Sequence, residues 1–292
     1  MHLRKNNQLK SINTLRKFIN RKSKRIFILP IFYLFSLLLF LQLFGCAIKP
    51  WEAPLEGETF DDSLKFIIAL AKEQETCDQS FDGDLSLFYT APFDKEAISG
   101  YLQFSLPSSY KFIVTNPFGQ PMFMVAGNNS SFQIINTNDK KYVSGSLRSF
   151  FIRNHIPLAF LSGNWGEWLT GRNTMAGAEI TAIRQDKEAR GLWVTVEYTE
   201  GKKTTTSHLL LDTENKIYLE RLLEDKKGDV VARITYGNKR ADIQCQQPLA
   251  ITLSGLDYGV TIDLKLSDIH FANEQKKYSL PIPKGYIRQF MP

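Results

Sequence analysis

The chain has 292 residues, 43% hydrophobic and 23% charged, with a formal net charge of +6. That length suits one large domain or two small ones, and the composition is too apolar for a disordered chain. The charge is unevenly placed: nine of the 36 basic residues lie in the first 25, which hold no acid. From Cys46 onward the other 27 face 30 acids, a balance of −3, which removes the basic surface that nucleic acid requires.

Residues 26–44, IFILPIFYLFSLLLFLQLF, carry no charge. A basic region, an apolar run and a small residue before a cleavage point make a secretory signal. The run is also long enough to cross a bilayer, so a permanent transmembrane anchor is the competing reading. Pro30 interrupts it near its start. Its far end, Leu43-Phe44-Gly45-Cys46, resembles the bacterial lipobox, in which a cysteine receives a diacylglycerol and becomes the first mature residue. Phe44 departs from the smaller residue usual there. Residues 1–45 are therefore predicted to be a lipoprotein signal peptide and Cys46 the lipidation site. Ala47 follows it, not the Asp that retains lipoproteins at the inner membrane under the enteric sorting rule.

The segment KPWEAPLEGE, 49–58, has two prolines and no apolar period, so 46–58 reads as a tether and 59–292 as the folded domain. A helix is predicted over 59–74. Thr59 is its expected cap, Asp61 and Asp62 sit in its first turn, and Leu64, Ile67, Ile68 and Ala71 form its apolar stripe. After Cys77 the pattern alternates with period two. Strands are predicted near 81–89, 97–106, 110–116, 121–127, 131–136, 178–184, 193–199, 204–211, 248–254 and 261–266. Two more flank a hairpin turn at Lys226-Lys227-Gly228-Asp229. Helical spacing returns only in 146–172, broken by Pro157 and Gly163. About a dozen strands with short links predict a mainly antiparallel sheet. So few helices leave two solutions: a fully packed β-sandwich or closed barrel, or an open half-barrel with short helices as a lid over an apolar cavity.

Three cysteines occur in all. Beyond Cys46, Cys77 and Cys245 are either a disulfide or two separate buried thiols. No G-x-S-x-G elbow or P-loop is present. The histidines, His2, His155, His208 and His270, are scattered without metal-ligand spacing. Asp82-Gly83-Asp84 lacks the remaining ligands of a calcium loop and reads as a solvated turn. The expectation is a protein with no catalytic residues, metal or cofactor. In TNPFGQP, 115–121, Pro117 and Gly119 mark a turn with Phe118 at its tip. Composition alone favours a phenylalanine folded back into the core.

Three segments together resemble the outer-membrane lipoprotein receptor LolB family: VTNPFGQPMFMV, then HIPLAFLSGNWGEWLTGR, then PLAITLSGLDYGVTIDLKLS. The matching motifs are Asn116-Pro117-Phe118-Gly119, Ile156-Pro157-Leu158 and Trp168-Leu169-Thr170-Gly171, in the family's order behind a lipobox. The resemblance spans roughly 60–266 and departs between about 173 and 247 and after Ser267. It implies a monomeric, lipid-anchored protein on the periplasmic face of the outer membrane. Such a protein accepts the acyl chains of lipoproteins from a periplasmic LolA-type carrier and releases them into the inner leaflet. It further implies that Phe118, flanked by Pro117 and Gly119, is the tip of a membrane-inserting loop. Two alternatives stand beside it: an envelope lipoprotein for another amphiphile, and a structural lipoprotein with a packed barrel.

Overall fold

One sheet of 15 strands runs through the described residues of the computed structural model, which are 49–292 apart from 78, 155, 157, 162–164, 201–202, 240–244, 246 and 257–258. The predicted signal peptide and Cys46 lie outside them. In chain order the strands are β1 (Trp51–Pro54), β2 (Ser80–Ala91), β3 (Asp94–Ser105), β4 (Ser109–Thr115), β5 (Pro121–Gly127), β6 (Ser131–Asn136), β7 (Lys141–Ser146), β8 (Ala178–Asp186), β9 (Leu192–Glu200), β10 (Lys203–Asp212), β11 (Ile217–Glu224), β12 (Val230–Lys239), β13 (Pro248–Leu256), β14 (Val260–Ala272) and β15 (Ile287–Met291). Their order in the sheet is β1, β8 to β14, β2 to β7, then β15. Neighbours pair antiparallel throughout, except that β15 lies parallel to β7. The two edges do not pair with each other, so the sheet is open. It is nonetheless curled, because Phe81 and Phe104 of β2 and β3 share one buried cluster with Val194, Leu209 and Ile234 from the other half.

The 19-residue helix α1 (Gly57–Glu75) lays Ile67 and Leu70 into that cluster and also buries Ala71. This gives the concave face a cover without closing the sheet. Thr59 is not its cap: the helix begins two residues earlier, after Glu56, and the Thr59 hydroxyl donates to the Glu56 carbonyl at 3.0 Å. The aromatic stretch, whose breaks at Pro157 and Gly163 suggest two short helices, divides into three pieces. It forms α2 (Leu147–Arg153), a 3-10 turn over Leu158–Leu161 and α3 (Trp165–Thr170).

The tether boundary needs correction. Trp51–Pro54 is an edge strand on β8, not a free linker. Trp51 is only 7% exposed, packing edge-on against Trp193 at 5.3 Å and over His208 at 4.4 Å on the convex face. One large aromatic supplies burial that no periodic pattern in 49–58 announces. At the other end of the chain, Leu280 and Tyr286 cover the convex face of β5–β7 by packing with Ala126, Ile135 and Tyr142. Asp82-Gly83-Asp84 also proves to be strand. Gly83 is needed because a Cβ there would stand 2.8 Å from the Ser267 carbonyl oxygen of β14.

Candidate functional site: a half-filled apolar trough

The concave face has two different halves. Over β8 to β14 it is filled by α1 and by inward side chains such as Ile183, Val194, Val196, Leu209, Ile234 and Ile251, all essentially inaccessible. Over β4 to β7 it is not. Register continues one stripe from Phe112 to Val125, Ile134 and Val143, with Val114 opposite Phe123 beside it. Phe112 packs against the main cluster, which places the stripe on the concave face; the alternate residues Ala126, Ile135 and Tyr142 belong to the convex cluster. All six stripe residues are only half-buried. Helix α2 closes one end, with Phe150 on Phe132 at 5.1 Å. The result is a trough-shaped strip of apolar, half-buried side chains on the concave side of β4 to β7.

Two small cavities lie beside α1 among the described residues. One cavity of about 220 Å³ lies between the C-terminal end of α1 and the β10–β11 turn, lined by Leu70, Glu73, Arg172, Lys216, Ile217 and the two cysteines among others. A second, of about 150 Å³, adjoins it through Gln74 and Arg172. Both fall below the ~300–1,000 Å³ of an ordinary ligand pocket. Over the β8–β14 half the concave face is covered by the apolar side of α1. An empty apolar groove in water would be costly, and the helix stripe removes that surface.

At the floor of the filled half sits a group of polar side chains. Arg221 is 5% exposed and lies across the sheet from Leu209 and Ile234, so its side chain is on the concave side. Its Nε has no hydrogen-bond partner among the described residues, nor does the hydroxyl of Tyr218. Burial pushes the phenols of Tyr218 and Tyr198 up, and that of Tyr236 to about 12. Desolvation pulls on the Arg221 guanidinium, but its charge interactions with Tyr236, Tyr198 and Glu167 outweigh it and raise its pKa. Glu167 is itself held, accepting from the Thr174 backbone N–H at 3.0 Å.

Cys77 and Cys245 are joined in the structure as a disulfide, with α-carbons 5.5 Å apart. Phe118 projects from the β4–β5 hairpin and is 88% exposed. The turn is held without it. The backbone N–H groups of Phe118 and Gln120 both donate to Asn116 Oδ1 at 3.0 Å, and Asn116 N–H donates to the Gln120 carbonyl at 2.9 Å. Gly119 takes φ +77°, which a side chain would resist. Asn116 thus fixes the turn internally, and Pro117 restricts the backbone, so the tip stands out in solvent.

No family model and no curated protein matches the sequence. Solved structures do. A putative outer membrane lipoprotein-sorting protein domain from Vibrio parahaemolyticus matches with a TM-score of 0.50 at 12% identity, over 72% of this chain and 93% of that one. A DUF1329 family protein from Desulfovibrio piger ATCC 29098 matches at 0.50 and 10%, over 71% and 92%. A LolA superfamily protein from Nitrosomonas europaea matches at 0.48 and 13%, over 74% and 94%. The chain shares its fold with the Vibrio parahaemolyticus and Desulfovibrio piger proteins. At these identities the likeness is one of fold.

The motif residues have local reasons within that fold. Gly171 ends α3 at φ +63° and leaves room for the Pro248 ring, 3.0 Å from where its Cβ would stand. Gly166 allows α3 to lie on the β3–β4 turn, where a Cβ would meet the Pro107 carbonyl oxygen at 2.0 Å. Trp168 stacks on Phe160 at 5.8 Å, and Ile156 packs against the main cluster. His155 and Pro157 lie outside the described residues. His208 is tied into the convex face by Glu224 at 2.8 Å and Thr195 at 3.0 Å, far from His270 in sequence and strand order. Among the described residues, no group of His, Cys, Asp and Glu has a metal-holding arrangement, and no helix is long and apolar enough to cross a membrane. Sequence reasoning missed Arg221, the half-exposed stripe as a unit, and Trp51.

Proposed function

We propose that this chain is a lipid-anchored envelope protein that takes acyl chains onto its concave face and releases them into a membrane. Specifically, it accepts acylated lipoproteins from a periplasmic LolA-type carrier and delivers them to the inner leaflet of the outer membrane, making and breaking no bond. The observation that carries this is the trough-shaped strip of Phe112, Val114, Phe123, Val125, Ile134 and Val143. It is apolar, half-exposed and lies on the concave side of an open sheet. The fold shared with a lipoprotein-sorting domain, the predicted lipid at Cys46 and the protruding Phe118 support the same reading.

The physical task is modest. Each methylene kept from water is worth about 0.8 kcal/mol, so one acyl chain in solution costs on the order of 10 kcal/mol. A trough that covers one side of the chain offsets part of that and still lets the chain leave. Helix α1 fills the rest of the concavity when no chain is present, and its displacement supplies the remaining cover.

The test is transfer of a triacylated lipoprotein from purified carrier to this protein and on to liposomes. Ile134→Glu, on the stripe but only half-buried, is expected to keep the fold and lose acceptance. Normal acceptance by a folded Ile134→Glu protein would move the ligand elsewhere. A second reading, carriage of an anionic amphiphile, is favoured by Arg221. A buried cation suits a carboxylate or phosphate head, whereas a triacylated N-terminus is uncharged. Saturating binding of a fatty acid that is lost in Arg221→Met, with no uptake of lipoprotein, would establish that reading instead.

A further inference from the structure

Strand directions divide the hairpins between two rims. From Ala91 paired with Asp94, and Thr115 paired with Pro121, the β2–β3 and β4–β5 turns lie at the same rim. Each turn places a phenylalanine directly after a proline: Pro92-Phe93 in the first, Pro117-Phe118 in the second. Phe93 is fully exposed, more so than Phe118. Two such tips are two strand spacings apart across the sheet, roughly 10 Å. Because Ile113 pairs with Tyr101 while β2 and β3 stay paired out to Ala91 and Asp94, the Phe93 tip also stands about three residues, roughly 10 Å, further along the strands.

We propose that Phe93 and Phe118 form one two-point docking edge for a lipid bilayer, on which the strands lean so that the shorter β4–β5 hairpin and the longer β2–β3 hairpin reach the surface together. This rests on the reading of Phe118 above and extends it to a second hairpin, a geometry and a partner surface. A single exposed phenylalanine is ordinary, but two proline-led tips at one rim are not scattered apolar surface. Tips protruding singly from tight turns present little area to a protein groove, yet both enter a bilayer interface together. Two further tips at that rim, β6–β7 and β11–β12, carry Lys140 and Lys141 with Asp139, and Lys226 and Lys227 with Asp225 and Asp229; beside Phe93 stand Asp94, Lys95 and Glu96. Lysines and carboxylates balance, so this edge has no preference for anionic lipid. Docking is apolar, and salt does not undo it. Two points also fix tilt in the plane they define, which one tip cannot.

The experiment places a tryptophan at each position in turn in the full-length chain: Phe93→Trp, Phe118→Trp and, at the opposite rim, Asn129→Trp in the β5–β6 turn. Each variant is reconstituted in vesicles of brominated phosphatidylcholine, and quenching is read against the unsubstituted chain. Phe93→Trp and Phe118→Trp should be quenched to a similar degree and Asn129→Trp should not. The pattern should persist in about 0.5 M salt, where screening acts within a few ångström, and should not deepen when anionic lipid is added. Quenching of Phe118→Trp alone overturns the two-point edge and leaves the single-tip reading intact. Quenching of neither overturns both. Quenching that needs anionic lipid overturns the apolar mode of docking. Equal quenching of Asn129→Trp overturns docking by this rim.

Discussion

Removing the Cys77–Cys245 bridge, as Cys77→Ser with Cys245→Ser, tests the largest single constraint on this open sheet. The bridge closes a loop with a sequence separation of 168. It ties the end of α1 to the segment between β12 and β13. On the chain-entropy account, a loop of that length is worth about 5 kcal/mol at room temperature, and native disulfides commonly deliver about 2–4. Beside the bridge lies a cavity lined by Leu70, Arg172 and Ile217, and the end of α1 is otherwise held there by Gln74, which accepts from the Asn173 backbone N–H at 2.8 Å, and by the Glu73–Lys216 ion pair at 3.3 Å. The double variant should therefore lose about 2–4 kcal/mol in a urea titration. Its melting temperature should fall by roughly 5–15 °C, given about 2–4 °C per kcal/mol for a domain of this size. Amide protection should fall most in the last turns of α1. A variant within a few tenths of a kcal/mol of the wild type would refute the reasoning, because that margin is covered by denatured-state effects alone.

Phe118→Glu should unfold nothing, since an exposed turn residue changes stability by no more than about 0.5 kcal/mol. It should cut delivery into liposomes by roughly tenfold or more, the value of one apolar side chain inserted, measured as lipoprotein recovered in the vesicle fraction. Gly166→Ala drives a methyl toward the Pro107 carbonyl oxygen and should cost about 1–3 kcal/mol, read by thermal melting. Asp186 accepts from Arg190 Nε at 2.9 Å and from the Trp193 indole at 2.7 Å. Although burial opposes ionisation, these donors hold its carboxyl below its ordinary value of 3.8. A lowered native pKa contributes stability above the unfolded-state value and loses it as pH falls through the native one. Asp186→Asn should therefore be less stable than wild type at neutral pH by about 2 kcal/mol, with the difference closing only in acid below the ordinary carboxylate range.

Twelve of the 15 strands were legible because period-two alternation survives wherever one face meets the core, as in Ile262, Leu264 and Leu266. The other three lacked that signal for separate reasons. β1 is anchored by Trp51 alone between prolines. β7, KYVSGS, is thin because Gly145 must admit Met291 of the parallel β15, whose carbonyl would lie 2.0 Å from an added Cβ. β15 itself is short and mostly exposed. The polar floor was hidden differently. In LERLLE, 219–224, charged residues normally mark the solvent side, but this strand is covered on both faces. Leu222 faces Trp193 on the convex side while Arg221 lies inside. An irregularity in the β10–β11 pairing between Leu210 and Leu211 further breaks the count. The Phe118 turn was readable from Pro117 and Gly119, but its exposure was not, since composition favoured a buried ring and only the family resemblance pointed outward; Phe93, in a similar Pro-Phe turn, had no such motif around it. The half-filled trough depends on how far α1 reaches along the sheet, which no local pattern encodes.

The placement of β1 limits reach. Trp51 pairs with Asp186, at the rim where β10 meets β11, opposite the rim of Phe93 and Phe118. With a lipid on Cys46, five residues, 46–50, connect the bilayer to a seated Trp51, at most about 18 Å of chain. The strands are longer: the 12 residues of β2 extend about 40 Å, or about 30 Å along the axis of a barrel-like tilt. A protein standing on the Phe93 and Phe118 rim over the membrane that holds its own lipid is therefore out of range while β1 remains paired. Peeling β1 as far as Glu56 lengthens the connection to eleven residues, roughly 36 Å, and brings both tips within range. The cost is chiefly the burial of Trp51, about 4–6 kcal/mol for a large aromatic of 150–250 Å². The leash has two lengths, and the tryptophan decides which one is in use.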